Sequence, residues 1–82
     1  MNANEVTQRF VQSYFNLYQR RVVSTKKQFC DAVGLYPTNL VLMQHGKRQC
    51  TTQHICQLFN AYGINPAWLF TGSGSFYANG DD

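Results

Sequence analysis

Two glycines constrain the fold of this chain more than any other feature. In the segment FCDAVGLYPTNLVLMQHG, eleven residues separate Gly34 from Gly46, and a short apolar-periodic run precedes each of them. Glycine is common just after a helix end, where the chain turns left-handed. Pro37, which starts the second run, suits the first turn of a helix because its missing N–H would have no partner there. The segment therefore predicts two short helices joined by a tight turn.

Capping residues and apolar spacing predict three further helices around this pair. One runs from Asn4, as its N-cap, to about Val22. Another begins after Thr51 and stops at Gly63, and a last short turn follows Asn65 as its cap. The sequence contains no strand pattern and no internal repeat. We therefore expect an all-α, compact bundle of about five short helices that contains a helix-turn-helix.

The apolar positions of these helices predict the core. Thr25 and Gln28 fit a capping box at the start of the second helix, and Leu35 is expected to plug the turn. The residues expected to face inward are Val6, Phe10, Tyr14, Leu17 and Tyr18 in the first helix, Phe29, Ala32 and Val33 in the second, Leu40 and Met43 in the third, Ile55, Leu58, Phe59 and Tyr62 in the fourth, and Trp68 and Leu69 in the last.

The length of 82 residues allows one small domain. Residues 1–72 are assigned to this domain. Residues 73–82 are assigned to a flexible C-terminal tail because glycine, serine and aspartate predominate there. The alternative is that Phe76 and Tyr77 pack back against the bundle.

The composition excludes several classes of protein. With 44% hydrophobic and 15% aromatic residues, the chain does not have the composition of a disordered protein. It has no apolar run of about 18 residues, so no membrane span is expected. The first residues lack a basic region followed by an apolar one, so we expect no secretory signal and a cytoplasmic location. The odd count of three cysteines therefore predicts reduced, buried thiols.

The charge distribution suggests a polyanionic partner. Residues 1–80 carry seven basic and two acidic side chains, and most of the basic residues occur in adjacent pairs. A basic surface attracts nucleic acid, although it also serves solubility, and the charge alone does not separate the two interpretations. The pairs are Arg20-Arg21, Lys26-Lys27 and Lys47-Arg48.

Residues 25–76 resemble the lambda-repressor-like, or XRE-type, helix-turn-helix family of phage-repressor style. The C-terminal GINPAWLFTGSGSF is similar to the segment GVNPEWLLTGEGEM that is frequent in these repressors, and it is the most specific match. The remaining matches follow in order: Thr25 stands where the family opens its second helix, Phe29-Cys30 where it has Leu-Ala, Gly34-Leu35 where it has Gly-Val, Leu40 where it has Ile, and Gly46-Lys47-Arg48 where it has GKR.

This resemblance implies sequence-specific binding to double-stranded DNA and a role in transcription regulation, most often repression. In the DNA-binding motif, the N-terminal positions of the second helix reach base edges in the major groove. A single short helix reads few bases, so we expect a homodimer. The resemblance implies phosphate or backbone contacts at Lys26, Lys27, Tyr36, His45, Lys47 and Arg48, and base-reading positions at Pro37, Thr38, Asn39 and Leu42.

The reading face departs from the family pattern. Pro37 stands where related proteins often have glutamine or arginine, and Leu42 is apolar. Thr38 and Asn39 remain as polar readers, with Gln44 a further candidate in place of the usual glutamate. Asparagine pairs well with adenine, and threonine or an aliphatic side chain can contact the thymine methyl. We therefore expect modest specificity that favours A·T-rich sites.

Other functions are less compatible with the sequence. Asp31 is the only acidic residue between positions 6 and 80, so no pair of carboxylates or Ser-His-Asp set can be drawn for an enzyme. Cys50, His54 and Cys56 lack the spacing of known zinc sites, and we expect no metal, cofactor or small-molecule substrate. The alternative function is a protein-interaction module with weak or no DNA binding. The aromatic excess of the first helix (Tyr14, Phe15, Tyr18) suits such a surface or a dimer contact, or simply extra packing.

Overall fold

Five α-helices account for most of residues 3–80, which is the part of the chain that the computed structural model describes. Within these residues no strand forms, and one isolated antiparallel bridge joins Ile64 to Tyr77. None of the helices described here is long and apolar enough to cross a bilayer. The prediction of an all-α bundle of about five short helices is confirmed. The helices are α1 (Ala3–Gln19), α2 (Lys26–Val33), α3 (Pro37–Gln44), α4 (Thr52–Tyr62) and α5 (Pro66–Thr71).

The end of α1 falls three residues before the predicted end at Val22. Arg21 adopts a positive φ of 63°, which is uncommon for a residue other than glycine, and this conformation turns the chain out of the helix. The N–H groups of Val22 and Val23 both donate to the carbonyl of Leu17, at 2.9 and 3.3 Å. Val23 is thereby buried, whereas Val22 remains exposed.

Two of the predicted caps differ from expectation in detail. Asn4 was expected to cap α1 but lies inside the helix, where its side-chain oxygen accepts a hydrogen bond from Nε2 of Gln49. Thr25 caps α2 as predicted, because its hydroxyl accepts from the N–H of Gln28 at 3.0 Å. The Gln28 side chain accepts from the N–H of Ser24 rather than from that of Thr25. The first hydrogen bond of the predicted capping box therefore forms, but the return bond goes to the residue before the N-cap.

The turn between α2 and α3 is built on Gly34. Its φ is +70°, and the N–H groups of Gly34 and Leu35 both donate to the carbonyl of Cys30. This left-handed C-cap satisfies the end of α2 and directs the chain into α3 within three residues. Leu35 is buried in the turn, as predicted.

Phe29 lies at the centre of the core and connects three helices. Its ring is fully buried and contacts Phe10 edge-on at 5.9 Å and Tyr14 at 5.3 Å, both on α1. On the other side it lies parallel to Tyr62 of α4, with ring centroids 6.1 Å apart. Leu40 and Met43 of α3 are also fully buried. The predicted inward faces of α2 and α3 are confirmed at Phe29, Val33, Leu40 and Met43.

Three side chains expected inside are exposed. Tyr18 at the end of α1 is 53% exposed, and Phe59 on α4 is 44% exposed. Both rings lie at the edge of an apolar stripe whose central positions are already covered by other helices. Of the cysteines, Cys30 is buried and Cys50 is half-buried, but Cys56 is exposed, so the prediction that all three are buried is wrong for Cys56.

Residues 73–80 pack against the end of the bundle. Phe76 is buried and meets Trp68 edge-on, with ring centroids 5.0 Å apart. The N–H of Ala78 donates to the carbonyl of Gly63 at 2.7 Å, and the N–H of Asn65 donates to that of Phe76 at 2.8 Å. The structure thus contains the packed arrangement of Phe76 that the sequence left as an alternative. The flexibility of residues 73–82 and a domain boundary at residue 72 stay predictions, and Asp81 and Asp82 lie outside the described residues.

Candidate nucleic-acid interface

The burial of two residues sets the rotation of α3. Leu40 and Met43, three positions apart, face the core and are fully buried. By helix geometry, the opposite face carries Thr38 and His45, which are about two turns apart, and both are exposed. Leu42 lies beside them and is half-buried. The outward face of α3 therefore presents a hydroxyl, an imidazole and an aliphatic side chain.

Val41 belongs to this outward face and, as an aliphatic side chain, is a candidate for the thymine-methyl contact expected from the sequence. It is 36% exposed and lies three positions after Thr38 and four before His45. A β-branched apolar residue at an exposed helix position is suited to a thymine methyl group or to another apolar partner. The sequence indicates this outward position, because on a helix Val41 cannot share a face with both Leu40 and Met43.

The N-terminus of α3 differs from those of α2, α4 and α5. Tyr36 is its N-cap and makes no side-chain capping hydrogen bond, whereas side chains cap the other three. The Tyr36 carbonyl accepts from the N–H groups of Asn39 and Leu40. Tyr36 itself is 77% exposed, and Pro37 follows as the first helical residue. The positive end of the α3 dipole is therefore not shielded by a capping side chain, which favours an anion such as phosphate.

A shallow groove of about 330 Å³ lies between α2 and the start of α3. Exposed Asp31 of α2 lines it together with Tyr36 and Pro37. The carboxylate places a negative charge beside residues expected to approach DNA. It opposes phosphate binding there, so the attraction has to come from basic residues outside this groove.

The basic loop, residues 45–50, leaves the C-terminus of α3. His45, Lys47 and Arg48 are exposed. Gly46 adopts a φ of +73°, and the N–H of Lys47 donates to the carbonyl of Leu42 at 2.9 Å, which folds the loop back over the helix end. The loop therefore projects two cations directly after the outward face of α3.

Two of the seven basic residues are engaged within the fold. Arg9 of α1 donates from Nε to the carbonyl of Leu69 at 2.6 Å and from a terminal nitrogen to that of Phe70 at 3.1 Å. It thereby satisfies carbonyls in the last turn of α5. Arg20 lies over the rings of Phe76 and Tyr77, at 4.9 and 5.2 Å. These two arginines have structural roles and are poor candidates for phosphate contacts.

The predicted site residues all lie on the surface or partly on it. The structure does not bring any of the ten into the core. Exposed are Lys27, Tyr36, Pro37, Thr38, His45, Lys47 and Arg48, and half-buried are Lys26, Asn39 and Leu42.

His54, considered above for metal binding, has a structural partner. Its Nδ1 accepts from the N–H of Thr51 at 3.1 Å as part of the capping box of α4. Burial, and secondarily the positive charge of Arg48, lower the pKa of His54. Within residues 3–80, no group of three or more His, Cys, Asp or Glu side chains is arranged to hold a metal ion.

A second surface feature lies on α4 and α5. An open apolar groove of about 270 Å³ is bordered by the partly exposed ring of Phe59. No charged residue lines it. Its other lining residues are Thr52, Ile55, Cys56, Asn60, Pro66 and Phe70.

Comparison with known proteins identifies no relative. No protein-family model matches the chain, and neither a curated protein nor a solved structure matches it. The resemblance to lambda-repressor-like domains therefore stays a prediction from the sequence motifs, and the geometry of α2, α3 and the basic loop has to carry any functional argument.

Proposed function

We propose that this chain is a sequence-specific double-stranded DNA-binding protein that regulates transcription in the cytoplasm, as a repressor of phage or mobile-element type. The observation that carries the proposal is the arrangement of α3. Its core contacts through Leu40 and Met43 leave Thr38 and the helix start outward, and the exposed pair Lys47-Arg48 follows immediately. A short exposed helix flanked by cations is the requirement for reading a DNA groove.

In this proposal, affinity comes from phosphate contacts around α3. The proposed contacts are Lys26 and Lys27 at the start of α2, and Lys47 and Arg48 in the basic loop after α3. His45 adds a hydrogen-bond donor, and the start of α3 adds the backbone N–H of Thr38, because Pro37 has no N–H and that of Asn39 donates to the Tyr36 carbonyl. Such contacts are independent of sequence and weaken as salt concentration rises.

Sequence preference comes from the outward face of α3. Thr38 is exposed, and Asn39, half-buried at the helix start, offers an amide that suits adenine. Pro37, Val41 and Leu42 offer apolar contacts to thymine methyl groups. The proposed preference is therefore for A·T-rich half-sites with modest discrimination.

The proposed active form is a homodimer. The eight residues of α3 can cover only a few base pairs, and a two-fold pair would read two half-sites. The uncharged groove beside Phe59 and the exposed rings of Phe15 and Tyr18 are candidate contact surfaces. Sedimentation equilibrium with and without DNA tests this part of the proposal, and a monomer on a single half-site would contradict it.

Titration of random and selected duplex DNA tests the main proposal. Fluorescently labelled duplexes enriched by in-vitro selection are titrated at about 50 and 200 mM salt, between which several phosphate contacts would cost orders of magnitude in affinity. The proposal expects an enriched A·T-rich motif and a clear salt dependence. Absence of binding at the lower salt, or binding without enrichment of any motif, would contradict it.

The apolar groove favours a second candidate, a protein-interaction module with weak or no DNA binding. Phe59 is 44% exposed at the edge of this groove, away from any charged lining residue. A substitution pair separates the two functions. If Phe59→Ala abolishes association with a protein partner while Thr38→Ala and Arg48→Ala leave DNA binding unchanged, the interaction module is the better assignment.

A further inference from the structure

A buried hydroxyl on α1 is bonded to the loop that carries Lys47 and Arg48. Thr7 is 1% exposed, and its hydroxyl donates to the side-chain oxygen of Gln49 at 2.7 Å. The Thr7 hydroxyl oxygen, Oγ1, in turn accepts from the N–H of Cys50 at 3.0 Å. It also lies 3.6 Å from the Cys50 sulfur. The hydroxyl thus uses both its donor and its acceptor capacity on two consecutive loop residues.

Neighbouring side chains of α1 complete this attachment. Gln49 Nε2 donates to Asn4 Oδ1, so the Gln49 amide is held at both of its ends. Gln8 Nε2 donates to the carbonyl of Met43, in the last turn of α3, at 3.3 Å. Asn4, Thr7 and Gln8 are spaced so that they share one side of α1. One turn of α1 therefore holds the C-terminus of α3 and the far end of the basic loop.

A polar residue at this place is unexpected from the apolar stripe of α1. Thr7 lies three and seven residues before Phe10 and Tyr14, both of which are buried. A buried hydroxyl is costly unless it is hydrogen-bonded, so its partners decide whether it is tolerated. Here both partners belong to the basic loop, which suggests that the Thr7 hydroxyl holds that loop in one conformation.

We propose that Thr7 and Gln49 are positioning residues for the phosphate-binding loop. They hold the segment between Gly46 and Cys50 in one conformation before DNA arrives, so Lys47 and Arg48 lose less conformational freedom on binding. This inference rests on the proposed DNA-binding function. Neither Thr7 nor Gln49 touches DNA in the proposal, and both act through Lys47 and Arg48.

The test uses Gln49→Ala, because Gln49 is exposed and its removal takes no apolar side chain out of the core, although the Thr7 hydroxyl loses its acceptor. DNA affinity is expected to fall about fivefold, the effect of one typical hydrogen bond. In an Arg48→Ala background, Gln49→Ala is expected to reduce DNA affinity clearly less, since the Arg48 side chain that Gln49 positions is already absent. Gln53→Ala, at an exposed position of α4, is the matched control and is expected to leave affinity unchanged.

Amide hydrogen exchange of the free protein gives a second, DNA-independent readout. Gln49→Ala and the near-isosteric Thr7→Val are expected to speed exchange at residues 46–50 and to leave α2 and α4 unaffected. Uniformly faster exchange in the whole chain, or affinity losses that simply add to that of Arg48→Ala, would overturn the positioning role. If the unsubstituted protein binds no DNA at low salt, the proposed function fails, and unchanged exchange at residues 46–50 would independently refute loop ordering.

Discussion

His54 Nδ1 accepts a hydrogen bond from the backbone N–H of Thr51 at 3.1 Å, and the Thr51 hydroxyl accepts one from the N–H of His54 at 3.2 Å. This reciprocal pair closes the N-terminus of α4 immediately after the basic loop. Nδ1 can accept only when it carries no proton, so the cap requires a neutral imidazole. Burial and the nearby charge of Arg48 act in the same direction and lower the pKa of His54.

The protein is therefore expected to lose stability as the pH falls. With the pKa of His54 lowered from 6.5 in the folded state, the unfolded chain binds more protons in the interval between the lowered value and 6.5. The contribution of the neutral cap to the free energy of unfolding is complete above this interval and declines as the pH decreases through it. Urea denaturation at a series of pH values between about 7.5 and 5 measures the slope.

His54→Gln is the matched control for this pH dependence. Glutamine also completes a capping box at this position but does not titrate. The variant is expected to show a smaller decrease in the free energy of unfolding between the same pH limits. An unchanged slope would assign the dependence to other groups.

Phe29→Ala is expected to destabilise the fold severely. The ring is fully buried and contacts Phe10, Tyr14 and Tyr62, so its removal leaves a cavity between three helices. Such truncations cost about 3–5 kcal/mol, a large part of the stability of a domain of this size. Chemical denaturation followed by circular dichroism measures the loss.

Phe59→Ala provides the comparison on α4. Its ring is 44% exposed, so the same truncation is expected to cost about 1 kcal/mol or less in the free energy of unfolding. Equal losses for the two phenylalanines would contradict the burial pattern. They would instead indicate that the Phe59 groove is covered in solution.

Removal of the loop cations is expected to reduce the salt dependence of DNA binding. Lys47→Ala and Arg48→Ala each remove one exposed cation from the basic loop, and each should lower the slope of log affinity against log salt by about 1. Arg20→Gln removes the same charge where the guanidinium lies over Phe76 and Tyr77, and should leave the slope unchanged. Equal slopes for all three variants would exclude a specific phosphate role for the loop.

Thr38→Ala is expected to affect sequence preference more than salt dependence. Thr38 lies on α3 opposite the buried Leu40 and Met43, where a side chain can reach base edges. Loss of a base contact costs about 1–3 kcal/mol of discrimination and leaves phosphate contacts in place. Competition between selected and scrambled duplexes measures the ratio of affinities. A proportional loss on both duplexes would argue against base reading by Thr38.

Asp31→Asn is expected to strengthen DNA binding. The exposed carboxylate lines the groove beside Tyr36 and Pro37, where it repels phosphate. Its neutralisation should raise affinity at low salt, with the gain shrinking as salt screens the charge. Glu5→Gln makes the same charge change near the start of α1 and should have the smaller effect. A larger effect for Glu5→Gln would place the DNA on a different face.

Local elements of this fold could be predicted because their signals are short-range. Thr25, Thr51 and Asn65 cap helices in the structure as their positions indicated, and Gly34 takes the left-handed conformation that its place after an apolar run predicts. These features depend on hydrogen bonds within a few residues, which the sequence order alone specifies. The ten candidate DNA contacts were assigned from the family resemblance, and they stay predictions.

Positions that depend on distant partners could not be predicted in the same way. Asn4 is drawn from capping to Gln49, 45 residues away, and Arg21 ends α1 early so that Val23 can be buried. Phe59 has the spacing of a core residue, but no element within residues 3–80 covers it. In each case the burial or hydrogen bonding of the side chain depends on where a distant segment packs.

The amino-acid order alone therefore specifies five helices, most of their caps and most of the inward stripe of each, because propensity and periodicity act over a few residues. Tertiary packing alone decides that Thr7 is buried and bonded to Gln49, and that Arg9 binds the carbonyls at the end of α5. A buried polar group must find its partner wherever the fold places one. That requirement joins α1 to the basic loop, a connection that no local pattern in the sequence could indicate.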